Sequence, residues 1–249
     1  MPICDGVVLA GGVGSRFGHP KATVRLGDRT LVERAVAALE GRCRRVVVVA
    51  RSDTPLPAVT SPIVFDEPGA PSALRGIVSG LRAVTAPFVA VLGCDIVAAP
   101  SLLDRVINAE SDDSRCAVDE NGLQPLCARV RRDHAVAVAD AMLANGELRL
   151  RSFAAALAVT PVPVEEGELR NVNTWIDGLA AALDVPAPSS AVVGDILDLT
   201  RIVAHGTERT NGPVASFLAG YLAAQTGGDA AAAVRTAIAA AESLVDRGT

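Results

Sequence analysis

Short apolar runs alternate with helical patterns over the first half of the chain. Four of these runs predict strands, and the continuous β-branched run at 46–50 is typical of a strand that is buried on both faces. The four runs are residues 6–10, 46–50, 63–65 and 88–92. Between and after them, apolar residues recur every three or four positions, as on one face of an amphipathic helix. Because alternating strands and helices imply right-handed crossovers, we predict an α/β fold with a Rossmann-like, doubly wound, mostly parallel sheet.

The alternation of strand and helix patterns ends in the second half of the chain. Asn121 and Gly122 lie between two apolar runs, which predicts a β-hairpin and therefore an antiparallel addition to the sheet. Residues 159–164 are interrupted by prolines and predict an edge strand.

The last quarter of the chain contains helical patterns only. Residues 184–190, DVPAPSS, have the composition of a linker, and we divide the chain into domains at 1–183 and 184–249. We predict three helices in this small all-α C-terminal domain, the second with Pro213 at its first position. The apolar stripe of that second helix is Phe217, Leu218, Tyr221 and Leu222. Since so small and alanine-rich a core is marginal, we expect this stripe to dock on the first domain, a second copy or another protein.

Composition excludes several classes of protein. The 249 residues are 50% hydrophobic with a net charge of −5, so nothing suggests the basic face that nucleic acid requires. Five cysteines without a CxxC spacing argue against a disulfide framework or a zinc site. No apolar run approaches the length of a membrane span, and the N-terminus lacks a signal-peptide pattern. We expect a soluble, cytoplasmic protein without membrane partners.

A glycine-rich loop, LAGGVGSRFGHPK at residues 9–21, follows the first predicted strand. Its glycines let a ligand approach the backbone, and successive N–H groups there form an anion site. Arg16 and Lys21 add positive charge, so the loop is suited to a polyphosphate. The dinucleotide fingerprint fails at Phe17, and no Gly-Lys-Ser/Thr completes a P-loop. The alternative is a glycine-rich turn with two solvated cations.

Polar residues follow the third and fourth predicted strands, at the edge of the sheet where this loop also lies. Asp95 is suited to hold Mg²⁺, which prefers carboxylate oxygens and substrate phosphates, or it caps a helix. Asp66 is suited to accept from the N1–H and amino groups of guanine, or it caps a turn. Asn171 and Asn173 have side chains on one face of an extended segment and would reach a metal or an acceptor phosphate, or form a turn.

These segments together resemble the molybdenum cofactor guanylyltransferases. The series is the LAGG loop, Asp66, Cys94-Asp95, Gln124-Pro125-Leu126 and Asn171-Val172-Asn173-Thr174. The resemblance implies the fold of the nucleotide-diphospho-sugar transferases and transfer of GMP from GTP to the phosphate of molybdopterin, with release of pyrophosphate. The C-terminal part is similar to an uncharacterised helical domain that is sometimes fused to such enzymes.

The resemblance also implies roles for individual residues. Those implied to bind nucleotide are Leu9, Ala10, Gly11, Gly12, Gly14, Lys21, Asp66 and Asp95. Asp95 would hold Mg²⁺, Arg16, Lys21 and Asp95 would serve catalysis, and Asn171 and Asn173 would bind the acceptor.

The chain departs from the family pattern at three places. Ser72-Ala73-Leu74-Arg75-Gly76 replaces Gly-Pro-Leu-x-Gly, Asp95-Ile96-Val97 replaces Asp-x-Pro, and an asparagine after the second strand is replaced near Arg51-Ser52. These changes concern contacts to the base more than the chemistry. The alternatives are therefore transfer from CTP, another phosphorylated acceptor, or a non-catalytic nucleotide-binding scaffold.

Overall fold

The computed structural model describes residues 4–11, 20–66, 71–108 and 111–246. The chain separates into two compact units, Met1–Val185 and Pro186–Thr249. No helix in the described ranges is long and apolar enough to cross a membrane.

The first unit contains eleven strands and six α-helices within the described residues. The strands are β1 (Cys4–Leu9), β2 (Arg25–Leu26), β3 (Arg29–Thr30), β4 (Val46–Ala50), β5 (Ile63–Phe65), β6 (Phe88–Gly93), β7 (Ile96–Ala98), β8 (Arg115–Asp119), β9 (Gly122–Arg131), β10 (Thr160–Pro163) and β11 (Leu169–Asn171). The helices are α1 (Leu31–Glu40), α2 (Ala73–Ala83), α3 (Pro100–Ile107), α4 (Arg132–Ala144), α5 (Leu150–Ala156) and α6 (Trp175–Ala182).

Seven of these strands form one sheet in the order β10-β8-β9-β6-β1-β4-β5. The four strands β5, β4, β1 and β6 run parallel to one another. The predicted hairpin forms β8 and β9, and β9 lies antiparallel to β6. The proline-containing β10 lies at the edge of the sheet. The prediction of a mostly parallel α/β sheet with an antiparallel addition is confirmed.

Two apolar cores cover the two faces of this sheet. One contains the inner faces of α1 and α3, and the other contains those of α2, α4 and α5. All five residues of β4 are buried, because their side chains point alternately into one core and into the other. The sequence Thr30-Leu31-Val32-Glu33 has the form of a capping box, which predicts a helix start, and it does start α1. The Thr30 hydroxyl accepts from the Glu33 N–H, and the Glu33 carboxylate accepts from the Thr30 N–H.

Asp5 is a fully buried charge near the start of β1, which the sequence pattern did not predict. Its carboxylate accepts from the backbone N–H groups of Thr85 and Ala86 and from the Arg44 guanidinium. Burial opposes ionisation, but the bonds from Arg44 and from the two amides outweigh it and lower the pKa of Asp5. This carboxylate therefore ties β1 to the segment that leads into β6.

The two short strands β7 and β11 form a separate antiparallel ribbon beyond the end of β6. Glu168 stabilises it by accepting from Ser101 and Arg105 and from the Glu165 N–H. The bonds from Arg105 and Ser101 lower the pKa of Glu168 to about 2. The ribbon brings the segment that follows β11 back to the end of the central sheet.

The second unit consists of α7 (Ser190–Gly206), α8 (Asn211–Gln225) and α9 (Ala230–Asp246). The prediction of proline at the first position of α8 is wrong: the helix begins at Asn211, two residues before Pro213. Proline is tolerated there because the N–H groups of the first helical turn have no intrahelical partner.

The small core of this unit is built from short side chains on α8. Ala219 and Ala223 are buried, together with Leu199 of α7 and Val234 of α9. On the opposite side of α8, Phe217 is 70% exposed. The aromatic and leucine stripe is therefore not what holds the three helices together.

One prediction concerns Gly80, where α2 crosses β1. A Cβ on Gly80 would lie 2.5 Å from Val7 Cγ1, and a β-branched side chain in a packed strand has little room to move. Gly80→Ala should therefore lower the free energy of unfolding by about 1–3 kcal/mol, although alanine favours helices. Urea unfolding measures this.

Gly41, in the same unit, provides the matched control. It has a right-handed helical conformation, and nothing lies within 4 Å of its added Cβ. Gly41→Ala should leave stability unchanged or raise it by up to about 1 kcal/mol. Equal losses for the two variants would show that close packing at Gly80 is not the cause.

Candidate active site

Three polar side chains from distant parts of the sequence meet at the end of β6. Lys21 begins a 3₁₀ turn, Lys21–Thr23, and its Nζ lies 2.7 Å from Asp95 Oδ2 and 2.7 Å from Asn173 Oδ1. The side chains of Lys21 and Asp95 are 19% and 22% exposed, so both remain accessible from solvent. An ion pair this accessible can exchange its partners for those of a charged ligand at modest cost.

The backbone fixes Asp95 in this position. The Cys94 N–H donates to the Leu9 carbonyl, and the Asp95 carbonyl accepts from the Val172 N–H. A Cβ on Gly93 would lie 2.8 Å from Asp95 Oδ1, so the carboxylate uses space that only glycine leaves free. Asp95 does not cap α3, whose N-cap is Ala99.

A cleft of about 290 Å³ opens on one side of Asp95, and we call it the Asp66 cleft. Its lining includes Leu9, Gly11, Lys21, Arg51, Asp66, Gly76, Asp95 and Leu126. Asp66 follows β5, and its N–H donates to the Ala50 carbonyl. Its carboxylate lies over α2, because Oδ1 is 3.1 Å from the position of a Cβ on Gly76.

The Asp66 carboxylate is incompletely satisfied. Its Oδ1 is buried and accepts no hydrogen bond from any residue that the structure describes. Burial raises the pKa of Asp66, and the nearby charge of Arg51 opposes that rise only in part. A buried acceptor without a donor costs about 1–3 kcal/mol, so the cleft is suited to a ligand that supplies N–H groups.

A second cleft of about 440 Å³ lies on the other side of Asp95, and we call it the Gln124 cleft. Its lining is Asp95, Ile96, Leu123, Gln124, Pro125, Leu126, Arg149, Leu150, Arg151 and Asn171. Asp95 and Leu126 line both clefts. A ligand in either cleft would therefore lie next to Asp95.

The structure brings together most of the described residues that the sequence singled out. Leu9, Gly11, Lys21, Asp66 and Asp95 line the Asp66 cleft, and Ala10 is buried at the end of β1. The two asparagines separate: Asn173 contacts Lys21, whereas Asn171 lines the Gln124 cleft. The predictions for Gly12, Gly14 and Arg16 lie outside the described residues.

Sequence reasoning did not select Arg51, Arg149 or Arg151, which also line the clefts. Arg51 directly follows β4, so the rule that ligands lie at the carboxyl ends of parallel strands indicates it. Arg149 and Arg151 flank the start of α5, and no comparable sequence signal marks them.

Residues 6–161 match the family described as the MobA-like NTP transferase domain. The chain belongs to this family. It is therefore a nucleotidyltransferase, as its resemblance indicated. Residues 167–249 match a second family, a domain of unknown function (DUF6457).

A curated relative agrees with this membership, and solved structures share the fold. A probable molybdenum cofactor guanylyltransferase of Mycobacterium marinum is 31% identical over 74% of this chain and 92% of its own length. The fold is similar to that of molybdopterin-guanine dinucleotide biosynthesis protein A from Archaeoglobus fulgidus, with TM-score 0.59, 21% identity and coverage of 72% and 97% of the two chains. It is also similar to 2-C-methyl-D-erythritol 4-phosphate cytidylyltransferase from Thermus thermophilus, with TM-score 0.54, 19% identity and coverage of 74% and 98%.

The donor set of this MobA-like unit fits Mg²⁺ better than a metal that needs a protein cage. Among the described residues, no three histidine, cysteine, aspartate or glutamate side chains form a metal-binding cluster. Mg²⁺ is commonly held by one or two carboxylates, substrate phosphates and water. Asp95, accessible and facing both clefts, has the chemistry that this mode of binding requires.

The environment of Asp66 predicts a pH-dependent gain in stability on its neutralisation. Because the pKa of Asp66 is higher in the folded than in the unfolded chain, ionisation destabilises the fold above that pKa and has no effect below the unfolded value. Asp66→Asn should raise the free energy of unfolding of the ligand-free protein by about 1 kcal/mol at pH 7. The gain should shrink as the pH falls toward 4, and urea unfolding across this range measures it.

Asp5→Asn is the control, with the opposite sign. The pKa of Asp5 is lowered, so its charged form stabilises the fold at pH 7 and the variant should be less stable there. A loss of stability in both variants would mean that the Asp66 carboxylate is satisfied in solution.

Proposed function

We propose that this enzyme transfers GMP from GTP to the terminal phosphate of a molybdopterin-type cofactor and releases pyrophosphate. The observation that carries the proposal is the position of Asp95 between two clefts, with Lys21 beside it. A nucleotide in one cleft and a phosphorylated acceptor in the other would place both phosphates at the same carboxylate. The names of the curated relatives support this choice of reaction.

The Asp66 cleft is the proposed site of the base. Guanine presents two adjacent donors, N1–H and the amino group, to the two carboxylate oxygens of Asp66. Cytosine presents one amino group beside an acceptor nitrogen, so one carboxylate oxygen would face a lone pair. A partner with two donors compensates the buried Oδ1 most completely, which favours GTP over CTP.

The Gln124 cleft is the proposed site of the acceptor. Arg149 and Arg151 supply positive charge to its wall, in a protein whose net charge is negative. Local cations of this kind attract a phosphate that the net negative charge of the whole protein would repel. Asn171 adds an amide to the same lining.

The reaction needs positioning more than a protein nucleophile. A phosphate oxygen of the acceptor attacks the α-phosphorus of GTP, the bond to the β-phosphate oxygen breaks, and pyrophosphate leaves. Asp95 would hold Mg²⁺, which supplies neutralisation of the charge on the phosphates. Lys21 donates to Asp95 and Asn173 in the ligand-free chain, so Asn173 keeps its ammonium group aimed at the place where the phosphates meet.

The proposal predicts a preference among nucleotides. Calorimetric titration should show tighter binding of GTP than of CTP, by roughly 10-fold or more for one additional hydrogen bond to a charged group. Equal affinity, or tighter binding of CTP, would overturn the proposal of GMP transfer. Transfer of CMP from CTP would then be the better-supported reaction.

A second prediction concerns Asp95. Asp95→Asn should lower the rate of pyrophosphate release with GTP and the pterin phosphate acceptor by roughly 100-fold or more, because a neutral amide would hold Mg²⁺ much less strongly than a carboxylate does. The thermal unfolding curve should stay near that of the parent. Asp104→Asn on α3, which breaks the ion pair between Asp104 and Arg42, is the control and should leave turnover unchanged. Near-normal turnover of Asp95→Asn would remove Asp95 from the mechanism.

A further inference from the structure

The wall of the Asp66 cleft holds a second charged group close to Asp66. A Cβ on Gly11 would lie 3.9 Å from Arg51 Cγ and 3.9 Å from Asp66 Oδ2. The two side chains therefore converge on the same corner, at the neighbouring ends of β4 and β5. This corner places a cationic donor beside an anionic acceptor that has an unsatisfied oxygen.

Asp53 fixes the orientation of the Arg51 guanidinium. Arg51 Nε lies 2.9 Å from Asp53 Oδ1, and Nη2 lies 2.9 Å from Asp53 Oδ2. In the described part of the chain, Nη1 has no hydrogen-bond partner, and the side chain is 30% exposed. The bidentate pair thus holds two of the three nitrogens and leaves the third available to a ligand.

We infer that Arg51 donates to O6 of guanine while Asp66 accepts from N1–H and the amino group. The inference rests on the proposed function and makes Arg51 a residue that determines the choice of base. Guanine carries a strong acceptor, O6, directly beside N1–H, so its edge matches a donor placed next to a carboxylate. Arginine paired with O6 and N7 is the commonest specific contact to guanine in protein–DNA complexes, which shows that the chemistry is favourable.

The alternative role for Arg51 is general attraction of the triphosphate. The two roles differ in their dependence on the base. Loss of a phosphate contact would weaken the binding of every nucleotide equally, whereas loss of a base contact would weaken only nucleotides that carry the acceptor at position 6.

The experiment compares GTP, 6-thio-GTP, ITP and CTP by calorimetric titration against the parent and Arg51→Met. Sulfur at position 6 is a weak acceptor, whereas ITP keeps O6 and lacks only the amino group. The parent should bind 6-thio-GTP roughly 10-fold more weakly than GTP, the effect of weakening one hydrogen bond from a charged donor. Arg51→Met should bind the two equally, and its penalty for ITP relative to GTP should match that of the parent.

Arg51→Lys and Arg201→Met are the matched variants. Arg51→Lys keeps the positive charge but lacks the planar guanidinium that Asp53 orients. If O6 is the partner, this variant should recover part of the preference for GTP over 6-thio-GTP that Arg51→Met loses. Arg201 forms an exposed pair with Asp198 in the second unit, and Arg201→Met should change nothing.

Two outcomes would overturn the inference alone: a parent that does not distinguish GTP from 6-thio-GTP, or an Arg51→Met variant that loses all four nucleotides to the same degree. A parent that binds CTP more tightly than GTP would instead overturn the proposed function. The comparison within the parent holds even if Arg51→Met does not fold.

Discussion

The parallel register of β5, β4, β1 and β6 is the constraint on which the site depends. Parallel strands end at one edge of a sheet, so each strand delivers the residues that follow it to the same place. Asp66, Arg51, Gly11 and Asp95 follow these four strands. Their meeting therefore follows from backbone pairing, and the chemistry requires only the right residue type at each strand end.

The features that the sequence predicts well are those decided by long local patterns. The valine run of β4, the capping box of α1 and the Asn-Gly hairpin each contain their own signal, and all three are confirmed. The ribbon of β7 and β11 was missed because three-residue strands carry too little pattern, and because their pairing joins segments about 70 residues apart along the chain. The start of α8 was misplaced because proline is compatible with any position in the first turn.

Three carboxylates that are buried wholly or in part differ in how well they are hydrogen-bonded. Asp5 and Glu168 accept several hydrogen bonds each, which lower their pKa values. Asp66 accepts none at Oδ1 among the described residues, and burial raises its pKa. A paired charge stabilises the fold whether or not a ligand binds, whereas an unpaired one gains its partner only from outside. The sequence marks Asp66 by its place after a predicted strand, whereas most donors that satisfy Asp5 and Glu168 come from distant segments that no local pattern indicates.

The boundary between families and the boundary between compact units differ in an informative way. The match to the domain of unknown function begins at residue 167, whereas the compact second unit begins at Pro186. The intervening segment contains β11, Asn171 and Asn173. In the structure it belongs to the transferase unit, because β11 pairs with β7 and the Val172 N–H donates to the Asp95 carbonyl. The segment that carries both asparagines therefore belongs to the transferase unit by its contacts, and Asn173 contacts Lys21 there, although the match to the second family also covers it.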